Sequence, residues 1–452
     1  DTRFNGIMNG GIEQYDFELN SPQIKYADKV LTGIKMFNKI DSNGIDARYS
    51  VTRFNYNDSL FYDNVLFTSA GTNASFLSKL TWGAGLEQGG EFNWNTDVNA
   101  KNNIEVKPKT CYFYIEQQRW SLSDFEGTNI QPVAKFIDGK IELYDFMFIN
   151  GLQYISVDGI LSREVDDALE VRISEFDIDI FNKIYINEYD LEGLISGNFA
   201  LHSVLSNILI EGTMSIDNFA LNDNLIGNID FESTYDEFKN QLIINGEIFN
   251  PLISRTRTNK FSGDYTFAKT ENDVSIPDEL NFVFNFSTMD VSFANAFVDE
   301  QLASNIQGII QGDLIIKGSS SKPLLSGQLD LKNGQSKIGL LGTTYRIQGP
   351  INITNFGLTV VNMPILDQED NAALLSASIF HDNFRQWDYN VFLDLSRDGI
   401  RRDPQNKNIP ARLERFMALN TPYKEGELFY GKGYVTGNVN IYGTEDLVEI
   451  TA

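Results

Sequence analysis

Short runs in which every second residue is apolar, each closed by glycine, asparagine or aspartate, recur along the chain. Between Gly312 and Gly318, Leu314 and Ile316 share one parity while Asp313, Ile315 and Lys317 share the other. Leu325, Leu329 and Leu331 oppose Ser326, Gln328, Asp330 and Lys332, and Ile351 and Ile353 oppose Asn352 and Thr354. Val435, Val439 and Ile441 oppose Thr436, Asn438 and Asn440. Earlier segments repeat the rule: Leu169, Val171 and Ile173; Ile208, Ile210, Met214 and Ile216; Ile229, Phe231 and Tyr235; Leu242, Ile244 and Ile248. Ile338, Leu340, Leu358, Val360, Leu375, Ile379, Val391 and Leu393 complete the candidate apolar face. A period of two means strands with one wet and one greasy face, and the fold class it predicts is all-β.

Glycines fall inside these runs as well as between them, at Gly197, Gly212, Gly246, Gly312, Gly327 and Gly437. A glycine within a strand lets a sheet bend or another backbone come close, which a strongly curved sheet needs. Helical spacing is confined to two places. Val298, Leu302 and Ile306 fall four apart and predict one short helix between Phe293 and Ile306. Ile409, Leu413, Phe416 and Met417 fit a second, although Arg415 to Asn420 reads equally as a strand. Lys101 to Lys109, with Pro108, and Arg397 to Ile409, with Arg401, Arg402, Asp403 and Pro404, read as loops. The second loop and the following Arg412 and Arg415 gather basic charge; a solvated loop is the plainer reading, and anionic headgroups are the alternative.

Composition narrows the function. Of 452 residues 42% are hydrophobic, and 33 Phe and 19 Tyr are spread along the whole length, which suits pleated, half-buried surfaces. A net charge of −26 repels phosphate-rich partners, so nucleic-acid binding is not expected. Cys111 is the single cysteine and cannot form an internal disulfide. No run reaches the ~18 to 20 apolar residues of a membrane-spanning helix, and an opening on Asp1 suggests part of a longer polypeptide whose anchor lies elsewhere.

Constellations for catalysis are thin. His202 and His381, the only histidines, lie far apart in sequence and lack the spacing of a zinc site, so both read as structural. Asp177 and Asp179 share a strand face without the glycine and terminal glutamate of a calcium loop. Gly431, Gly433 and Gly437 have the wrong spacing for a phosphate loop and read as turn glycines. No GxSxG elbow supplies an acyl-transfer nucleophile. The expectation is a protein that is not an enzyme and takes neither cofactor nor metal.

From Gly308 to Ile353 a strand ending in Lys317-Gly318 precedes Lys322-Pro323, then Leu325-Ser326-Gly327, Leu329, Asn333-Gly334 and Leu341-Gly342-Thr343-Thr344-Tyr345. Ala377 to Leu395 and Leu419 to Ile450 follow as two further blocks. Together the three blocks resemble, in order, the C-terminal domain of the TamB branch of the AsmA-like lipid-bridge family in its Bacteroidota form. The likeness covers roughly the last third of the chain; the first two thirds agree only through their alternating strands.

That resemblance implies an elongated, strongly curved sheet, a β-taco or gutter, whose inner face is a continuous apolar groove. It implies a periplasmic bridge, anchored in the inner membrane, that conducts phospholipid and supports outer-membrane protein assembly. The partner it implies is a BamA-like outer-membrane insertase subunit of the TamA or TamL kind. Three segments are expected: 1–130 and 131–292 as groove, and 293–452 as a truncated TamB-like C-terminal domain. Two alternatives remain, an outer-membrane β-barrel and a secreted β-helical adhesin with a structural role.

Overall fold

The fold is that of a computed structural model, which describes residues 2–10, 14–27, 29–56, 61–83, 89–101, 103–115, 117–123, 131–179, 182, 190–206, 208–271, 274–298, 303–339, 341–382, 385–395, 415–423, 430–444 and 447–451. The chain divides into two compact units, residues 1–216 and 217–452. The first contains β1 (Arg3–Asn9), β2 (Gln14–Tyr26), β3 (Lys29–Asp41), β4 (Gly44–Asn55), β5 (Phe61–Gly71), β6 (Ser75–Trp82) and β7 (Gly90–Val98). It continues through β8 (Ile104–Ile115), β9 (Gln118–Leu122), β10 (Val133–Ile137), β11 (Lys140–Asn150), β12 (Gln153–Leu161), β13 (Ala168–Asp177) and β14 (Leu191–His202). The division falls inside β15 (Leu209–Leu221). The second unit holds β16 (Asn224–Asp236), β17 (Gln241–Phe249), β18 (Asn259–Thr266), β19 (Lys269–Glu271), β20 (Val274–Ile276), β21 (Glu279–Asp290), β22 (Ala303–Ser319) and β23 (Lys322–Ile338). After these come β24 (Thr343–Thr354), β25 (Gly357–Leu366), β26 (Ala372–Asp382), β27 (Arg385–Asp394), β28 (Phe416–Thr421), β29 (Gly431–Val435), β30 (Asn438–Thr444) and β31 (Val448–Thr451).

The protein is all-β. Among the described residues, 27 strands belong to one sheet, while β19–β20 and β28–β29 form separate two-stranded sheets. Pairing is antiparallel and runs almost entirely between sequence neighbours, as alternating strands joined by short turns favour. β9 and β10 share one strand position, each pairing with β8 on one side and β11 on the other. β27 pairs directly with β30, so the chain between them leaves the ladder, forms β28–β29, and returns.

Each unit's sheet curls. In the second, Ile226 on β16 packs with Met289, Ile310, Leu329 and Leu331, and β22 is four strand steps from β16. A flat sheet would hold those strands ~19 Å apart. In the first, Trp120 on β9 meets Phe176 on β13 with ring centroids 5.7 Å apart, three strand steps away.

A recurrent bulge steers the curl. Asp145, Glu175, Asn218 and Asn362 take left-handed backbone angles inside β11, β13, β15 and β25. In each case a polar side chain on the next strand accepts the strained residue's N–H: Asp158 Oδ2 at 2.8 Å, Ser196 Oγ at 2.9 Å, Asn228 Oδ1 at 2.9 Å and Ser376 Oγ at 3.0 Å. The bulge places two successive residues outward, so the next inward position falls three residues on, as with Val360 and Met363.

Three local expectations are corrected. Ile104–Lys109 belongs to β8 and not to a loop; Pro108 sits where the ladder slips, Asn93 facing Thr110 and Trp94 facing Pro108, so its missing N–H costs no ladder bond. In place of a helix through Ile306 there is a five-residue 3-10 turn, Ser292–Ala296, and Ile306 lies in β22. The Asn295 amide replaces a neighbouring strand there, accepting Ile306 N–H at 2.8 Å and donating to its carbonyl at 3.0 Å. Phe416 and Met417 are in strand β28, so the strand reading of Arg415–Asn420 holds; Ile409, Leu413 and the basic loop with Arg401, Arg402 and Arg412 lie outside the described residues.

Asparagine supports the curl at one more point. Asn259, 2% exposed, accepts the N–H groups of Ser287 and Thr288 at 3.0 and 2.9 Å, where β21 bulges against β22. Asn259→Leu strands both donors, and chemical denaturation should show a loss of about 2 to 4 kcal/mol against the parent.

Candidate functional site

Strand registers turn the alternation into two surfaces. In the second unit one row crosses eleven successive sheet strands, from Phe231 through Gly246, Phe261, Phe284, Leu314, Gly327, Ile353, Leu358, Ile379 and Tyr389 to Gly443. The adjacent row, one residue along, reads Asp230, Glu247, Lys260, Asn285, Asp313, Gln328, Asn352, Thr359, Ser378, Asn390 and Tyr442. The first is apolar except for one tyrosine; the second is polar throughout. The apolar row shares its face with Leu329 and Leu331, which pack toward Ile226 across the curl, so the apolar face is the concave one.

The first unit repeats this with larger side chains. Phe4, Leu19, Met36, Tyr49, Phe67, Leu80, Phe92 and Cys111 form one row over β1 to β8. Leu122, Phe148, Ile155, Ile173 and Gly197 form another, and Met214 lies against Gly197. Small buried residues line the floor beside the aromatics: Asn38, Ala47, Ser69 and Ser78 are in register, with the two serine hydroxyls 3.0 Å apart. Tyr49 donates to Asn38 Oδ1 at 3.3 Å. The two serine hydroxyls and the Asn38 side-chain oxygen thus find partners within the wall itself.

Electrostatics agree with a low-polarity wall. Burial pushes the Cys111 thiol above its usual range, and burial likewise raises Tyr62. Tyr345 is pushed up to about 12, by burial first and then by the charge of Asp367. The two histidines hold structural contacts: His202 Nδ1 lies 2.8 Å from the Val165 carbonyl, and His381 packs edge-on to Trp387.

Most of the lining residues expected from sequence share this face. Leu169, Val171, Ile173, Met214, Leu242, Ile244, Ile248, Leu314, Ile316, Leu325, Leu329, Leu331, Ile338, Ile351 and Ile353 do so by register, as do Leu358, Val360, Leu375, Ile379, Val391, Leu393, Val439 and Ile441. Ile210 and Ile216 share the parity of Met214, with Ile210 exposed. Two placements are corrected. Ile208 precedes β15 and is 50% exposed, because the strand begins only at Leu209. Val435 is not on the strand of Val439: the backbone turns at Gly437, and Val435 lies in β29, whose partner is β28. Leu340 lies outside the described residues. Residues that strict alternation missed, Phe176, Met289, Met363 and Ile365, follow bulges; the signal for the bulges before Phe176 and before Met363 and Ile365 is an acidic or amide residue two places after an apolar one, Glu175 and Asn362.

Not all of the face is equally open. Leu314, Ile316, Ile351, Ile353, Leu358, Leu242, Ile244 and Ile248 are only half-buried, although they sit on the concave side. Two stretches are packed: the cluster of Met289, Ile310, Leu329 and Leu331, and that of Ile365, Ala373, Leu395, Phe416 and Val439. Comparison with known proteins returned no matching family model, curated protein or solved structure.

Proposed function

We propose that this chain is part of a bridge-like lipid carrier of the TamB kind, in which the concave apolar face holds phospholipid acyl chains while headgroups stay in water. The observation that carries the reading is the eleven-strand apolar row, half-buried along much of its length, beside a polar row on the opposite face. An acyl chain gains ~0.8 kcal/mol per methylene removed from water, so a surface that stays apolar from strand to strand gives it one sustained environment. Proteins folded only for stability close such a face over a packed core.

The same observations weigh against the two alternatives. A membrane barrel presents its apolar side outward to lipid, and here the convex side carries Asp313, Lys260 and Asn352. A β-helix stacks parallel strands, and the pairing here is antiparallel. In this proposal the chain works in the periplasm without catalysis, bound to the inner membrane through an anchor elsewhere in the polypeptide. The partner is a BamA-like insertase subunit at the outer membrane. Native mass spectrometry of protein purified without detergent is expected to show bound phospholipid that organic extraction removes; a ligand-free spectrum from freshly purified, folded protein would overturn the reading.

A further inference from the structure

The main sheet closes beneath the insertion between β27 and β30. Leu395 N–H donates to the Gly437 carbonyl at 2.8 Å, and Leu393 pairs directly with Val439. The inserted pair β28–β29 forms its own sheet and lies on the apolar side of the main one. Phe416 is 2% exposed and stacks on Tyr345 with centroids 5.5 Å apart and planes 3° from parallel. Together with Val435 it covers Ile365, Ala373, Leu393 and Val439.

One turn grips both inserted strands. Asp367, with no exposed surface, accepts Met417 N–H at 2.6 Å on Oδ2, while its Oδ1 accepts the Glu369 and Asn371 N–H groups that shape the turn. Gln368 Oε1 accepts the Asn420 amide at 2.6 Å. Glu369 Oε1 accepts Lys432 Nζ at 3.0 Å and Tyr434 O–H at 2.9 Å. The turn thus holds β28 through Asp367 and Gln368, and β29 through Glu369.

We infer that β28–β29 is a built-in lid that occupies this end of the apolar face in place of acyl chains, with the Asp367–Asn371 turn as its latch. The inference rests on the lipid reading for what enters when the lid opens. Two observations carry it. The wall under the lid, at Ile365, Ala373 and Val439, is buried, while the neighbouring part of the same face, at Leu314 and Ile353, is only half-buried. The side-chain contacts that hold both strands of the lid come from one turn, joined on β28 by Tyr345 O–H donating to the Met417 carbonyl at 3.2 Å and by Asn420 N–H donating to the Leu341 carbonyl at 2.9 Å, and the lid joins no strand ladder of the main sheet among the described residues.

The test uses the full chain with Cys111→Ala and a reporter thiol at Leu393→Cys or, as a reference, Leu329→Cys. Maleimide labelling at Leu393→Cys should be slow in the latched protein and about tenfold faster with Asp367→Asn plus Glu369→Gln, the factor that losing a hydrogen bond to a charged group produces. Labelling at Leu329→Cys should stay slow in both. An unchanged rate at Leu393→Cys overturns the lid. So does a rise at both positions, because the small sheet is then a fixed part of the core. Glu369→Gln alone, which leaves the buried Asp367 intact, should give a smaller rise at Leu393→Cys only. A benzophenone amino acid at Leu393 or Ile353, with phosphatidylethanolamine–phosphatidylglycerol vesicles, separates the two claims. Adducts at Ile353 in every form, and at Leu393 only in the unlatched form, support both. Adducts at Ile353 with none at Leu393 in either form reject the lid alone, and no adducts at Ile353 reject the lipid reading.

Discussion

Glutamate at Ile353 is expected to lower phospholipid capture at least about tenfold while the protein stays folded. Ile353 is half-buried on the concave face, so water reaches a carboxylate there and the fold is spared the full cost of a buried charge. An acyl chain crossing that point meets the carboxylate and loses the contact of several methylenes. Leu329→Glu should behave differently. Leu329 is 6% exposed and packed with Met289, Ile310 and Leu331, so an unpaired charge there is expected to cost about 3 to 5 kcal/mol in denaturant melts. The outward Lys332→Glu should change neither reading, and equal loss of capture from it would show that the faces are misassigned.

Valine at Gly312 is expected to cost about 3 kcal/mol or more in stability, through geometry and not polarity. Gly312 holds φ at +126°, and a Cβ there would fall 2.2 Å from the Gln328 carbonyl oxygen on the facing strand. The two strands approach this closely where the face carries Phe286 and Leu329 on either side. Gly437 supplies the comparison. It also has positive φ, but nothing lies within 4 Å of a Cβ built there, so Gly437→Asn should cost no more than ~1 kcal/mol. Similar melting of the two variants would mean that the close approach at Gly312 is not needed by the fold.

Alternation made the strands and their faces legible where each side chain answers to one rule. From Leu314 to Leu331, and again from Ile347 to Ile353, the period of two holds, and the pairings Leu314 to Gly327 and Gly327 to Ile353 follow it. It fails where a left-handed residue resets the phase. Val360 to Met363 and Ile173 to Phe176 step by three, so half of each strand was read and the other half was not. The helix expected through Ile306 rested on a spacing of four, but Ile306 lies in β22, where the Asn295 amide takes both of its backbone groups. Val435 and Val439 look like one strand in sequence; only the long-range pairing of Leu393 with Val439 reveals that the chain between them has left the sheet. Buried Asp367 gave no local sign, because its partner Met417 is fifty residues away.

The central claim, that one face of this sheet contacts lipid along its length, is tested most directly by a photo-crosslinking scan in living cells. A benzophenone or diazirine amino acid would be placed at Phe231, Phe284, Leu314, Ile353, Leu358 and Ile379 on the apolar row, and at Asp230, Asn285, Asp313, Asn352, Thr359 and Ser378 on the polar row beside it. The two members of each pair are adjacent in sequence, so any difference between them reports the face and not the neighbourhood. Phospholipid adducts are expected at all six positions of the first set and at none of the second. Adducts confined to one or two neighbouring strands would contradict a conduit and leave a local pocket, and equal adducts on both rows would contradict the assignment of the face itself.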